Sequence, residues 1–121
     1  MACLLLVDDN ADFRTVFQRK FTELGYQVMT APDGVRGLQA VLDTPVDLAV
    51  LDLKMAYRDG LETLRLIRSV KPVTRVIILS ALVDEAAERE ARALGVSTIL
   101  HKPIGIKNLA ETIRQALAEA P

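Results

Sequence analysis

Three carboxylates stand where apolar segments end, and their positions suggest chemistry. Asp8 and Asp9 directly follow the apolar run "CLLLV", and Asp52 interrupts "DLAVLDL", where an unpaired charge would be costly. Carboxylate oxygens suit a hard cation such as Mg²⁺, which binds through one or two carboxylates and takes further ligands from phosphate oxygens. A carboxylate can also accept a phosphoryl group as an acyl phosphate. These residue types therefore indicate metal-assisted phosphoryl transfer.

Two further polar residues, Ser80 and Lys102, complete the candidate site. A serine hydroxyl can donate to an anionic oxygen, and a lysine ammonium is a point charge suited to phosphate. Asp52 is the better phosphoacceptor because it has no adjacent carboxylate, whereas the Asp8–Asp9 pair is better suited to hold a metal. Each residue also has a simpler interpretation: the acidic pair can cap the next helix, Ser80 can belong to a turn, and Lys102 can be a solvated charge.

The chain alternates between short apolar segments and segments with helical spacing, five of each. The apolar segments lack clean alternation, which is typical of strands covered on both faces of a parallel sheet. Strict alternation predicts right-handed crossovers with helices on both faces. We therefore predict a doubly wound α/β fold, a flavodoxin-like (βα)5 domain with a five-stranded parallel sheet in the order 2-1-3-4-5. The predicted strands are "CLLLV", "YQVMTA", "DLAVLDL", "RVIILSA" and "VSTILH".

The helical segments each carry one apolar stripe. The fourth segment, from Asp84 to Leu94, relies on alanines among many charges, so we expect it to be held most weakly. Glycines just past the predicted helix ends, Gly25 and Gly95, agree with this division. The stripes of the other four comprise Phe13, Val16, Phe17, Phe21 and Leu24; Val35, Leu38, Val41 and Leu42; Leu61, Leu64 and Ile67; and Ile106, Leu109, Ile113 and Leu117.

The strand order predicts where the polar groups meet. Strands 1, 3, 4 and 5 end at the acidic pair, Asp52, Ser80 and Lys102 respectively, and these strands are neighbours in the order 2-1-3-4-5. Functional sites of such sheets lie at the carboxyl ends of the strands. Three acids there would repel one another without a positive partner, which a divalent cation and Lys102 would supply.

Composition limits the remaining possibilities. The 121 residues suit a single domain, residues 1–121, with a formal net charge of −1 and a pI near 5.8. We expect no direct nucleic-acid binding and no membrane association, because neither a basic excess nor a long apolar run is present. A cytoplasmic location is the default expectation. Cys3 is expected to be a buried thiol, and His101, the only histidine, has no second soft ligand nearby for zinc.

Four motifs, "VDDN", "LDLKMAYRDGLETL", "IILSA" and "HKP", follow one another along the chain. In this order and spacing the chain resembles the receiver domain of two-component response regulators over essentially its whole length. The resemblance implies that Asp52 is the phosphoacceptor, that Asp8 and Asp9 bind Mg²⁺ with the backbone carbonyl of Lys54, and that Ser80 is the switch hydroxyl. It also implies that Lys102 contacts the phosphoryl group and that the Lys102–Pro103 bond is cis.

Three positions depart from the family pattern. Lys54 places a long cationic side chain beside the phosphoryl site, where it would screen the acyl phosphate from water. Ala56 stands where proline is common, and Ile99 stands where the fifth strand usually carries the switch tyrosine or phenylalanine. Ile99 puts the usual coupling between hydroxyl and aromatic ring in question, so switching through the fourth helix and its loop is the alternative.

The function implied is two-component signal transduction. A histidine kinase or histidine phosphotransfer protein would bind near Ala11, Arg14 and Thr15 and the loop after Lys102. The phosphorylated domain would regulate an output domain or form a homodimer through the fourth helix, fifth strand and fifth helix, acting as a switch and not as an enzyme. Two alternatives stay open: an interaction module that takes no phosphate, and an aspartyl phosphatase of the haloacid dehalogenase type, although that family uses DxD on its first strand.

Overall fold

Five parallel strands form one sheet in the order β2-β1-β3-β4-β5, which confirms the predicted flavodoxin-like topology. The computed structural model of the protein describes residues 1–53, 60–81 and 84–119. Strands and helices alternate along this part of the chain without exception. The elements are β1 (Cys3–Val7), α1 (Ala11–Glu23), β2 (Gln27–Ala31), α2 (Gly34–Asp43), β3 (Leu48–Leu51), α3 (Gly60–Val70), β4 (Arg75–Ser80), α4 (Glu85–Ala93), β5 (Thr98–His101) and α5 (Ile106–Ala118).

The sheet is covered on both faces, as its uninterrupted apolar strands predict. Every residue of β1 and β3 is buried. One core cluster packs α2, α3 and α4 against one face of the sheet, and the other packs α1 and α5 against the opposite face. Because side chains alternate across a strand, Leu5 and Val7 enter the first cluster whereas Leu4 and Leu6 enter the second.

The helix boundaries follow from local capping. Asn10, Asp33 and Asp84 each accept a backbone hydrogen bond at the start of α1, α2 and α4 respectively. Gly25 and Gly95 have φ values of 96° and 78° just after α1 and α4, a conformation that glycine adopts without steric cost. Since Asn10 caps α1, the simpler interpretation of the acidic pair as helix caps is wrong, and both carboxylates are available for another role.

Four apolar residues predicted to face the core are instead about half exposed. Val16, Leu24, Val35 and Leu42 expose between 44% and 56% of their surface. Consecutive residues on a helix point about 100° apart, so a helix lying flat on a sheet buries Phe17 but not Val16. The stripes predicted for α1 and α2 are therefore wider than the faces that these helices bury, whereas every residue of the α3 stripe is buried.

The fourth helix is the least embedded, as expected. Within α4 only Ala91 is buried, whereas α3 buries five residues over a similar length. Arg68 of α3 holds the end of α4 by donating hydrogen bonds to the carbonyls of Leu94 and Gly95. Over the described ranges, every helix is either too short or too polar to cross a membrane.

Candidate functional site

The register of the sheet places Asp8 and Asp52 side by side. Val7 pairs with Leu51 at the ends of β1 and β3, and each strand is followed at once by an aspartate. The Asp52 amide donates to the Val7 carbonyl at 3.0 Å, which continues the pairing by one residue. Parallel pairing of two central strands therefore brings two acids, 44 residues apart in sequence, to one edge of the sheet.

Asp9 joins these two acids to form a cluster of three. One carboxylate oxygen from each of Asp8, Asp9 and Asp52 lies within 4.8 Å of the others. Asp8 and Asp52 are only 1% and 6% exposed, whereas Asp9 is open to solvent. The cluster thus combines two buried acids with one that is exposed to solvent.

Lys102 supplies the positive charge that the cluster requires. Its ammonium nitrogen lies 2.7 Å from Oδ2 of Asp8 and 3.5 Å from Oδ2 of Asp52. Burial by itself would lower the pKa of Lys102, but the hydrogen bond and charge of Asp8, with those of Asp52, outweigh it and raise the pKa above its ordinary value. Lys102 is therefore a cation bound in the site and not a solvated charge.

Strands β4 and β5 position the remaining predicted residues. Ser80 ends β4 and is fully buried, and its carbonyl accepts a hydrogen bond from the Lys102 amide at 3.0 Å. The peptide bond between Lys102 and Pro103 is cis, as the resemblance implied. The side chains of Ser80 and Lys102 thus start from neighbouring points at the same edge of the sheet as the acids.

Asp8 is held at several atoms at once. Its Oδ1 accepts the Asn10 amide at 2.9 Å, and its amide donates to the Ala31 carbonyl at 3.1 Å. A guanidinium nitrogen of Arg14 donates to the Asp8 carbonyl at 2.8 Å. Arg14 was predicted from the sequence as part of a docking surface, and the structure shows that it also orders the backbone of the acidic loop.

Gly60, at the start of α3, is a site residue that sequence reasoning missed. A Cβ built on Gly60 would lie 2.1 Å from the Asp52 carbonyl oxygen and 2.7 Å from the Leu53 Cα. The Gly60 amide also donates to the Leu53 carbonyl. Only a residue without a side chain lets α3 approach the Asp52 backbone this closely. A glycine eight residues after a strand-end acid was the available signal.

The donor set fits a hard divalent cation. All three groups are carboxylates, two of them are buried, and their oxygens are close enough to share one ion. Ligands of this type favour Mg²⁺, Ca²⁺ or Mn²⁺ over zinc or copper. The predicted carbonyl ligand of Lys54 lies outside the described residues, as does Ala56.

Ile99 is buried and takes part in the core. Its exposure is 9%, it pairs with Ile78 across β4 and β5, and it belongs to the cluster that includes Ala91 of α4. The fifth strand thus presents an aliphatic side chain to the interior at the position where the family usually has an aromatic one.

Comparison with known proteins gives matches over nearly the whole chain. The family described as the response regulator receiver domain matches residues 4–114. The transcriptional regulatory protein ZraR of Escherichia coli is 34% identical over 115 residues, which cover 95% of this chain and 26% of ZraR. Sporulation initiation phosphotransferase F of Bacillus subtilis is 31% identical over 114 residues, covering 94% of this chain and 92% of that protein.

A solved structure shows the same fold. The response regulator protein TrrA of Thermotoga maritima, in complex with Mg²⁺–BeF, has a TM-score of 0.85 and 27% identity. The match covers 96% of this chain and 99% of TrrA. By contrast, the chain spans about a quarter of the length of the transcriptional regulators it matches.

Proposed function

The chain belongs to the response regulator receiver domain family of two-component signalling, and on this premise we propose that Asp52 accepts a phosphoryl group from a histidine kinase or a histidine phosphotransfer protein. One observation carries the proposal. The buried Asp52 carboxylate lies in a cluster with Asp8 and Asp9, with the Lys102 ammonium bridging Asp8 and Asp52. This arrangement offers a nucleophile, ligands for a cation and a fixed positive charge in one place.

In the proposed transfer, an oxygen of Asp52 attacks the phosphorus of a phosphohistidine. A P–O bond forms, the P–N bond breaks, and its electron pair returns to the imidazole nitrogen of the donor. Lys102 is close enough to Asp52 to follow the new negative charge and neutralise part of it. Asp8, Asp9 and Asp52 would hold Mg²⁺, which when bound supplies charge neutralisation at the phosphoryl oxygens.

The donor is proposed to dock beside α1 and the loop after Lys102. Ala11 and Thr15 are exposed at the start of α1, the helix that follows the Asp8–Asp9 pair in the chain. A partner approaching here could place an imidazole near Asp52 without moving the buried strands. We place this exchange in the cytoplasm, as the composition suggested.

The response to phosphorylation is proposed to travel through the segment after Ser80. A phosphoryl group on Asp52 would attract the Ser80 hydroxyl and Lys102, shifting a two-state equilibrium. Moving such a switch from mostly off to mostly on takes roughly 5 kcal/mol of differential stabilisation, which several charge-assisted contacts could supply. Helix α4 is weakly embedded, with Ala91 as its one buried residue, so moving it would disrupt little packing. Its exposed face, with β5 and α5, would then meet an output domain or a second copy.

The proposal is tested by exposing the protein to acetyl phosphate with Mg²⁺ and measuring its intact mass. We expect the mass of one added phosphoryl group in wild type and in Asp43→Asn, an exposed control acid on α2. Asp52→Asn and samples without divalent cation should show no addition. An equal addition in Asp52→Asn would refute Asp52 as the acceptor.

Two alternatives predict different outcomes. A receiver-like interaction module would gain no phosphoryl mass under any condition while still binding its partner. The observation in favour of this second candidate is the buried Ile99, which stands where the family usually has the switch aromatic residue. A phosphatase would hydrolyse a phosphomonoester over many turnovers. Family membership favours the receiver over the haloacid dehalogenase type, whose first strand carries a different acidic spacing.

A further inference from the structure

The aromatic ring of Phe13 lies against the Lys102 ammonium, which also contacts Asp8 and Asp52. The ammonium nitrogen is 5.2 Å from the ring centroid, within the range of a cation–π interaction. The Lys102 side chain is only 25% exposed, and Phe13 is half-buried. The ammonium is therefore partly desolvated between two carboxylates and one ring. Such an interaction is stronger in a desolvated position than at an open surface.

Phe13 is held in place by a row of aromatic side chains. Its ring centroid is 6.3 Å from that of Phe17, which is 4.3 Å from that of Phe21, which is 6.0 Å from that of Tyr26. Phe17 and Phe21 are fully buried. Four of the five aromatic residues in the chain thus form one continuous row, and one end of that row is at Lys102. A ring backed in this way has little freedom to leave the ammonium.

Phe13 also forms a wall of the cavity beside the acidic cluster. This cavity has a volume of about 350 Å³ and is lined by Asn10, Phe13, Ala81, Lys102, Pro103 and Ile104. Among the described residues of this lining Lys102 is the one ionisable group, so an anion entering the cavity meets the ammonium and the ring together.

We propose that Phe13 is a positioning residue that keeps the Lys102 ammonium at the phosphoacceptor site once the acids are engaged by other groups. The inference rests on the proposed function and adds a residue to it. A cation bound to Asp8 and Asp52 would neutralise the charges that hold Lys102. The ring carries no net charge that a metal could neutralise. The ring therefore remains a partner of the ammonium in the loaded state, and an ammonium that is kept at the site favours binding of an anion there.

The test measures binding of beryllium fluoride at saturating Mg²⁺ by calorimetry. Phe13→Leu keeps an apolar side chain of similar volume but removes the ring, so we expect binding about fivefold weaker than wild type. Phe13→Tyr retains the ring and should restore binding to within about twofold. Val16→Ala, on an exposed position of the same helix, is the matched control and should bind like wild type. Thermal unfolding of each variant verifies that it is folded.

A second measurement does not depend on binding. The Hε protons of Lys102 should resonate upfield of those of the exposed Lys107, because they are on the carbon next to the ammonium nitrogen that lies over the ring of Phe13. Phe13→Leu should abolish this ring-current shift. If that variant does not fold, the shift in the wild-type protein decides whether the contact exists, and its absence would overturn the inference.

The outcomes separate the two proposals. Wild-type protein that binds no beryllium fluoride counts against the proposed function. Wild-type binding that is unchanged in Phe13→Leu, or that is weakened equally in Phe13→Leu and Phe13→Tyr, overturns the role of Phe13 alone. Weaker binding in the leucine variant with recovery in the tyrosine variant supports it.

Discussion

Replacing Gly60 with alanine tests how closely α3 must approach the phosphoacceptor. The new methyl carbon would lie 2.1 Å from the Asp52 carbonyl oxygen and 2.7 Å from the Leu53 Cα. The shorter contact is about 1.3 Å below an ordinary van der Waals separation. Both neighbours are backbone atoms of the segment that carries the acceptor, so neither can turn aside as a flexible side chain would. Either α3 or Asp52 must move.

The expected cost follows from the packing around this contact. Inserting a methyl group into a closely packed interior costs about 1–3 kcal/mol, and backbone neighbours place Gly60→Ala at the upper end, near 3 kcal/mol. For a domain of this length each kcal/mol lowers the midpoint of thermal unfolding by about 4 °C, so we expect a fall of about 10 °C or more. Displacement of Asp52 should also weaken beryllium fluoride binding.

Two other glycines provide matched controls. A Cβ at Gly105 or at Gly25 would have no neighbour within 4 Å. Gly105 has an ordinary φ of −69°, so Gly105→Ala should change the free energy of unfolding by no more than about 1 kcal/mol. Gly25 has a φ of 96°, so Gly25→Ala should cost about 1 kcal/mol from backbone strain alone. Neither change should alter beryllium fluoride binding.

Comparing these variants tests whether the close approach of α3 to Asp52 requires a glycine at position 60. Thermal unfolding measures the stability of all three, and calorimetry measures beryllium fluoride binding at saturating Mg²⁺. If Gly60→Ala unfolds within a degree or two of Gly105→Ala and binds the anion like wild type, the close approach of α3 to Asp52 is not a constraint on the site and the reasoning fails.

Three further predictions concern other parts of the molecule. Mg²⁺ at ten times its dissociation constant should stabilise the wild-type protein by about 1.4 kcal/mol, and Asp9→Asn should lose most of this gain in thermal unfolding; a full gain in the variant would contradict the metal site. Burial, with a smaller contribution from Asp47, raises the pKa of the Cys3 thiol. Iodoacetamide near pH 8 should therefore label the native protein far more slowly than the unfolded chain, and equal rates would show that the thiol is accessible. Arg68→Lys removes the guanidinium group that donates to the Leu94 carbonyl, so the backbone amides of α4 should exchange with solvent several-fold faster. Unchanged exchange would show that other contacts keep α4 in place.

The strand order and the central acids of the site could be predicted because local patterns encode them. Uninterrupted apolar runs mark buried parallel strands, and alternation with helices restricts the topology to very few arrangements. Once that order is assumed, Asp8 and Asp52 must lie side by side, since they follow neighbouring strands. Lys102 follows β5 at the same edge, two strands away from β3, and its long side chain reaches both acids. The four motifs then identified the family, because a set of spaced residues is far more specific than any one of them.

Other features depend on how segments distant in sequence meet. Helical spacing indicated that Val16 and Phe17 lie near one stripe, but only the angle at which α1 lies on the sheet decides that Phe17 is buried and Val16 exposed. The Asp8 carboxylate accepts hydrogen bonds from the Lys102 ammonium and from the Asn10 amide. The side chain that caps α1 is therefore that of Asn10.

The sequence alone determined which polar residues gather at one edge of the sheet, because strand order and strand ends are properties of local pattern. The tertiary structure alone decided how near those residues come: the close approach of α3 at Gly60, which leaves no room for a Cβ, and the contact of the Phe13 ring with Lys102. Those separations arise from close packing between segments that are far apart along the chain, and side-chain type and spacing do not specify distances of an ångström or two.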